Sequence, residues 1–172
     1  TRPNRFEIFA GNDSQFFGKA SGLGYQDAIC SELPLQIGNY VWIDEDEDGV
    51  QDACEPPVTG LPVTLYTKDD DGTLTEVATT TTDATTGEYY FNDVLQDTTY
   101  LIVFGDTPES DTTFTYDGTE YGVTQDNTGE GNNPNLNDSD ATFQISPLGN
   151  LPAICYNTAD STDHTLDVGL LP

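Results

Sequence analysis

Residues 44–55 read DEDEDGVQDACE, with a carboxylate at the first, third and fifth places, glycine at the sixth and glutamate at the twelfth. This satisfies D-x-[DN]-x-[DN]-G-x5-E, the spacing of a calcium loop. A calcium ion takes about six to eight oxygens at roughly 2.3–2.6 Å, and a loop that offers ligands at alternate positions can wrap one. In this reading Asp44, Asp46 and Asp48 give one side-chain oxygen each and Val50 its backbone carbonyl. Asp52 adds a direct or water-mediated oxygen, and Glu55 closes the shell with two. Gly49 permits the sharp turn, while Glu45, Glu47 and Cys54 fall on non-ligand places. Magnesium fits less well, since it prefers a smaller octahedral shell and keeps its waters. The plain alternative is a solvated Asp-rich turn; six matched positions favour the ion.

A second oxygen-rich cluster comprises Asp126, Asn127, Asn137, Asp138, Ser139 and Asp140. Its spacing is not diagnostic, so a second cation site and a polar loop both stay open. Asp69, Asp70 and Asp71 precede Gly72 and read as a solvated turn, the common use of aspartate before glycine.

Composition agrees with cation chemistry. The 172 residues hold 31 Asp plus Glu against 4 Lys plus Arg, a formal net charge of -27. Nucleic acid is excluded as a partner because phosphate backbones are held by Lys and Arg, and acidic lipid surfaces are excluded likewise. Carboxylates at this density repel one another unless protonated or metal-bound, although an acidic surface can also serve solubility alone. No apolar run reaches the roughly 18 residues of a membrane span. The chain starts at Thr1 and contains no Met, which favours a processed, secreted protein. Catalysis is not expected: His164 beside Asp163 is the one histidine, and no nucleophile motif accompanies it. Three cysteines with no CxxC exclude a structural zinc set. A single disulfide is expected between Cys30 and Cys155, tying the N-terminal segment to the last strands, with three free thiols as the alternative.

The elements that must position these residues are β-strands. Short alternating runs rich in Val, Thr and Tyr recur between turn signals at 37–43, 61–67, 74–82, 88–92, 99–104, 112–116, 141–146 and 164–169. Within the first, Ile37, Asn39, Val41 and Ile43 are expected on one face and Tyr40 and Trp42 on the other; Val63 and Leu65 oppose Thr64 and Tyr66. Seven to eight such strands make an all-β sandwich, and Pro56 and Pro57 after the loop leave no room for the second helix of an EF-hand. Residues 105–140 read as a long polar stretch interrupted only by the weak run near Phe114. Residues 1–36 differ in kind, with Arg2, Arg5, Lys19, Phe6, Phe9, Phe16 and Phe17; two parts are therefore expected, an N-terminal extension at 1–36 and a domain at 37–172.

The order of motifs IGNYVWID at 37–44, the calcium loop, PVTGLPVTLY at 57–66, TTTD at 80–83, GEYYF at 87–91, DSD at 138–140 and TLDVG at 165–169 resembles the B-type repeats of bacterial serine-aspartate repeat surface proteins, of the Cna-B-like group. The resemblance implies an Ig-like β-sandwich that binds several calcium ions, is rigid when loaded and acts as a spacer or stalk in cell-surface adhesins. It also implies a calcium role for Asp138 and Asp140, so that one site is expected at 44–55 and two or three in total. Two departures stand out: Asn39 where the family usually has Asp, and the absence of a serine-aspartate tract or sorting signal. Some relatives carry a Lys–Asn isopeptide bond; with only Lys19 and Lys68 at hand, none is expected here.

The function expected is that of a calcium-stabilised extracellular building block of a surface fibre, adhesin or matrix. Its extension, too apolar at Phe6, Ile8, Phe16 and Phe17 for a free tail, is expected to add as a strand to a neighbouring copy and give a head-to-tail homopolymer. The alternatives are that the extension folds back on its own domain, and that the chain is a ligand-binding or spacer module recognising a host or matrix ligand.

Overall fold

The computed structural model describes residues 35–125, 137–159 and 161–172. The expectations placed on residues 1–34, including Cys30 and the extension's apolar positions, and on Asp126 lie outside the described residues. Ten strands are described: β1 (Leu35–Ile43), β2 (Pro62–Lys68), β3 (Leu74–Thr81), β4 (Glu88–Val94), β5 (Thr99–Phe104), β6 (Phe114–Tyr116), β7 (Thr119–Val123), β8 (Thr142–Ser146), β9 (Gly149–Asn157) and β10 (Val168–Leu171). They form two five-stranded sheets, β4-β1-β10-β7-β6 and β3-β2-β5-β9-β8, which is the all-β, Ig-like sandwich expected. No helix among the described residues is long and apolar enough to cross a membrane.

Ten strands replace the seven or eight expected, and the two missed ones have physical reasons. β7 is polar, and its signal was the Asp117–Gly118 pair, both residues of which have positive φ, as tight hairpins require. β9 carries Pro152, which lacks an amide hydrogen and argues against a central strand; it nevertheless lies between β5 and β8. Together the β6–β7 hairpin and Asp138 break up the long polar stretch expected at 105–140. The last strand begins at Val168 rather than His164, so residues 164–167 are free of the ladder and contribute to the site instead.

The core forms between the sheets, with Ile37, Val41, Val63, Ile102, Phe104 and Leu170 fully or almost fully buried. Tyr89 meets Phe104 edge to face at 5.2 Å and donates its hydroxyl to the Leu166 carbonyl at 2.8 Å. The simple alternation expected in β1 holds for Ile37 and Val41 but not for Trp42, which is also fully buried. Trp42 packs over Gly169, where a Cβ would lie 2.9 Å from its ring, and stacks near-parallel on Tyr40. In β2, Thr64 and Tyr66 are buried as well as Val63 and Leu65, so both faces are covered.

The strand that leads into the calcium loop is shared. β1 pairs antiparallel with β4 through Tyr40 and then parallel with β10 from Val41 to Ile43. The loop therefore leaves the sandwich from the segment of β1 that β10 holds. The Asp69–Gly72 turn is the hairpin between β2 and β3: Gly72 donates to the Asp69 carbonyl and Thr73 to Asp71 Oδ1.

Candidate metal centre

Asp44 follows β1 directly, and its backbone N–H donates to the Leu170 carbonyl at 3.0 Å. Its side chain is fully buried. Oδ1 accepts from the Asp48 amide at 3.3 Å and Oδ2 from the Gly49 amide at 2.9 Å, which folds residues 44–49 into a tight ring. Gly49 at φ 79 and Glu47 at φ 62 supply the left-handed turns. Carboxylate oxygens of Asp44, Asp46 and Asp48 lie within 4.8 Å of one another. Oxygens that share one calcium ion are at most about twice the metal–oxygen distance apart, or roughly 5 Å. The donor set is all oxygen and the spacing matches, so the residues fit calcium.

Glu55 ties the loop together by hydrogen bonds. Its Oε1 accepts from the Glu45 amide at 2.9 Å and its Oε2 from the Asp52 amide at 2.8 Å, so it staples the two ends of the loop. Burial raises its pKa, the Asp52 and Glu45 amides oppose this, and the charges of Asp44 and Asp46 push it up further. Asp46, Asp48 and Asp52 are exposed and Val50 is half-buried.

The second cluster is joined to the first. Val50 forms an antiparallel bridge with Asp138, and the Gln51 amide donates to the Asn137 carbonyl at 2.8 Å. Asp140 then meets Asp167: its amide donates to the Asp167 carbonyl at 2.8 Å, and the Asp167 amide donates to Asp140 Oδ2 at 2.9 Å. The Ser139 hydroxyl accepts from the Gly169 amide at 3.2 Å. Asp138 and Asp140 are thus brought beside the loop of 44–55.

Sequence reasoning assigned no role to Thr124, Asp167 or the partner that Asn39 finds. The Thr124 hydroxyl donates to Asp44 Oδ2. Asp167 is 1% exposed, and its Oδ1 accepts the Tyr40 amide at 3.1 Å. Its pKa is pushed up to about 8, first by burial and then by the charge of Asp140, against hydrogen bonds from the Tyr40 amide and the Asn39 side chain; Asp138 adds to the rise. Burial and neighbouring carboxylates both disfavour the charged form of this group. The TLDVG motif was the signal available, but as a strand it hid the aspartate's contacts.

The thiols and the histidine sit elsewhere. Cys155 in β9 and Cys54 are exposed and form no disulfide among the described residues, and the Cys155 sulfur lies 3.9 Å from Lys68 Nζ; the expected pairing with Cys30 lies outside the described residues. His164 meets the Tyr90 ring edge-on at 5.2 Å, and Asp163 Oδ2 accepts the Tyr156 hydroxyl at 2.7 Å.

Comparison with known proteins agrees with the architecture. The chain is similar to the bone sialoprotein-binding protein of Staphylococcus aureus strain MRSA252, at 41% identity over 97 residues, covering 54% of this chain and 8% of that protein. The serine-aspartate repeat-containing protein E of strain MSSA476 matches with the same identity and coverage. The chain therefore spans less than a tenth of the length of these relatives. The model of the SdrD B-like domain matches residues 35–170, from the first described strand to the last, and on that match the chain belongs to the SdrD B-like domain family.

Proposed function

We propose that residues 37–172 form a calcium-stabilised extracellular module, a building block of a surface fibre, adhesin or matrix. The observation that carries this reading is the convergence of Asp44, Asp46 and Asp48 within 4.8 Å on a loop tied to the sandwich. Charge gives it an energetic reason. Four of the 31 acidic residues and three of the four cations precede Leu35, which leaves 27 acids with Lys68 as their sole Lys or Arg. An ion that binds only the folded form offsets this repulsion and stabilises the fold by linkage, by about 2.7 kcal/mol at a concentration 100 times its Kd. Sites of millimolar affinity fill outside cells and stay empty in cytosol. The same logic supports localisation at a cell surface or in its surroundings.

Head-to-tail assembly through residues 1–36 is the finer part of the proposal. The acceptor it needs is an open sheet edge, and β8 suits it. Residues 141–159 contain no Asp, Glu, Lys or Arg, and Ile145 in β8 is 84% exposed. Natural edge strands are normally guarded by charge; β3 has Glu76 and β4 has Glu88 and Asp93. A second reading, a module that serves ligand binding or spacing, is favoured by a relative named for binding bone sialoprotein. No reaction is assigned, since His164 and Asp163 are engaged in packing and turn contacts.

Sedimentation velocity in millimolar calcium and after chelation tests the proposal. Large calcium-dependent species are expected if the loaded fold assembles. A compact monomer that expands on chelation supports calcium folding with a spacer or binding role. A monomer indifferent to calcium refutes the module as proposed.

A further inference from the structure

We infer that Lys68 and Cys155 form a cross-linking site: oxidation of the Cys155 thiol by a peroxide leads to a covalent bond between its sulfur and Lys68 Nζ, which ties β2 to β9 across β5. The inference goes beyond the calcium reading and is independent of it.

Sheet topology brings the two residues together from 87 positions apart in the chain. Tyr66 pairs with Leu101 and Leu101 with Cys155, so these three stand in one row of the sheet. Lys68 follows Tyr66 by two residues in β2 and therefore shares the face that carries Cys155. Two strand spacings, about 10 Å, separate β2 from β9, and the long flexible stem of a lysine spans that gap. Its Nζ lies 3.9 Å from the Cys155 sulfur. Lys68 is the sole Lys or Arg of residues 35–172 and is followed at once by Asp69, Asp70 and Asp71, yet among the described residues its amine is partnered by a sulfur. Cys155 is exposed, so a small oxidant in solution reaches it.

The chemistry balances in two steps. Hydrogen peroxide oxidises the thiol by two electrons; the O–O bond breaks, and sulfenic acid and water are formed. The lone pair of the neutral Lys68 amine then attacks the sulfur. An N–S bond forms, the S–O bond breaks, and the hydroxyl leaves as water with a proton from the amine. Sulfenic acids condense in this manner with a nearby thiol or a backbone nitrogen, and an amine is a better nucleophile than an amide. The product is a sulfenamide, which a thiol reductant returns to the two original side chains. Because β5 lies between β2 and β9, no ladder joins those strands directly, and the bond supplies a connection that the sheet lacks. It also restricts the unfolded chain by closing a long loop, as a disulfide does.

Peptide mapping of the full chain by mass spectrometry, after treatment with hydrogen peroxide and digestion without reductant, tests the site. The expected product is a pair of peptides joined through Lys68 and Cys155, lighter than their sum by about 2 Da and separated again by dithiothreitol. Lys68→Arg keeps the positive charge and should yield no linked pair; Cys155→Ser should yield none either. The oxidised parent is expected to melt several degrees above the reduced parent, a gain that Lys68→Arg loses. A disulfide of Cys155 with Cys30 or Cys54, or Cys155 recovered as sulfinic or sulfonic acid beside an unmodified Lys68, overturns the inference. A rise in melting temperature of equal size in Lys68→Arg overturns the stabilising role of the bond.

Discussion

The Thr124 hydroxyl donates to Asp44 Oδ2 across 80 residues of chain, joining the first position of the loop to the residue that follows β7. Thr124 is itself held in place, since its amide donates to the Gly169 carbonyl at 3.1 Å. Asp44 is therefore a structural member of the sandwich as well as a candidate ligand, whereas Asp46 is exposed and lies in the solvent-facing part of the ring.

This difference predicts how two ligand substitutions part company. Asp44→Ala removes the acceptor of the Asp48 and Gly49 amides and of Thr124, and is expected to cost about 1–3 kcal/mol even in chelator. Asp46→Ala should fall within about 0.5 kcal/mol of the parent in chelator and lose stability only in calcium. Urea denaturation in both conditions separates them; equal effects of the two variants in chelator would show that the Asp44 bonds do not matter to the fold.

Gly38 makes the pairing of β1 with β4 possible. Its φ is 149, and a Cβ there would lie 2.1 Å from the Tyr89 carbonyl oxygen, so the strands cannot keep their register around a side chain. Gly38→Ala is expected to destabilise by more than about 3 kcal/mol, beyond the usual range of point substitutions. Thermal melting reads it, and a loss under about 1 kcal/mol would mean that the backbone relaxes freely.

Acid stability has a local contributor at the turn before β4. The amides of Thr86 and Thr85 donate to Asp83 Oδ1 at 2.9 and 2.8 Å, and these bonds, Thr86 first, lower its pKa below the ordinary aspartate value. The folded form thus binds this proton more weakly than the unfolded form. Its stabilisation is complete above the ordinary value and disappears as pH falls through the folded one, which places the loss below about pH 4. Asp83→Asn removes the titrating group and should flatten that part of the acid limb in chelator. A limb of unchanged steepness would assign the acid loss to other carboxylates.

The uncharged edge at β8 gives a prediction for assembly. Ile145→Lys places a charge on an exposed edge residue with no core contact to lose, so the monomer should keep its stability within about 0.5 kcal/mol. If residues 1–36 add there, the variant and a deletion of residues 1–34 both abolish the large species seen by sedimentation. Polymers that survive Ile145→Lys but not the deletion would place the acceptor at another edge.

Much of this protein is written locally. The loop of 44–55 is twelve consecutive residues, so its ligand spacing is a property of the sequence, and the structure only bends it through Gly49 and Glu47. The β class is equally local, because alternation and β-branched content act over a few residues. β7 and β9 were harder, since a polar strand and a proline-bearing one derive their stability from partners distant in sequence. What only the tertiary structure decided is which separate segments meet. The parallel pairing of β1 with β10 brings Asp167 under the Tyr40 amide, and Asp140 and Thr124 then arrive from segments with no spacing relation to the loop. Such contacts depend on sheet order and burial, which act across the whole domain, and no twelve-residue pattern encodes them.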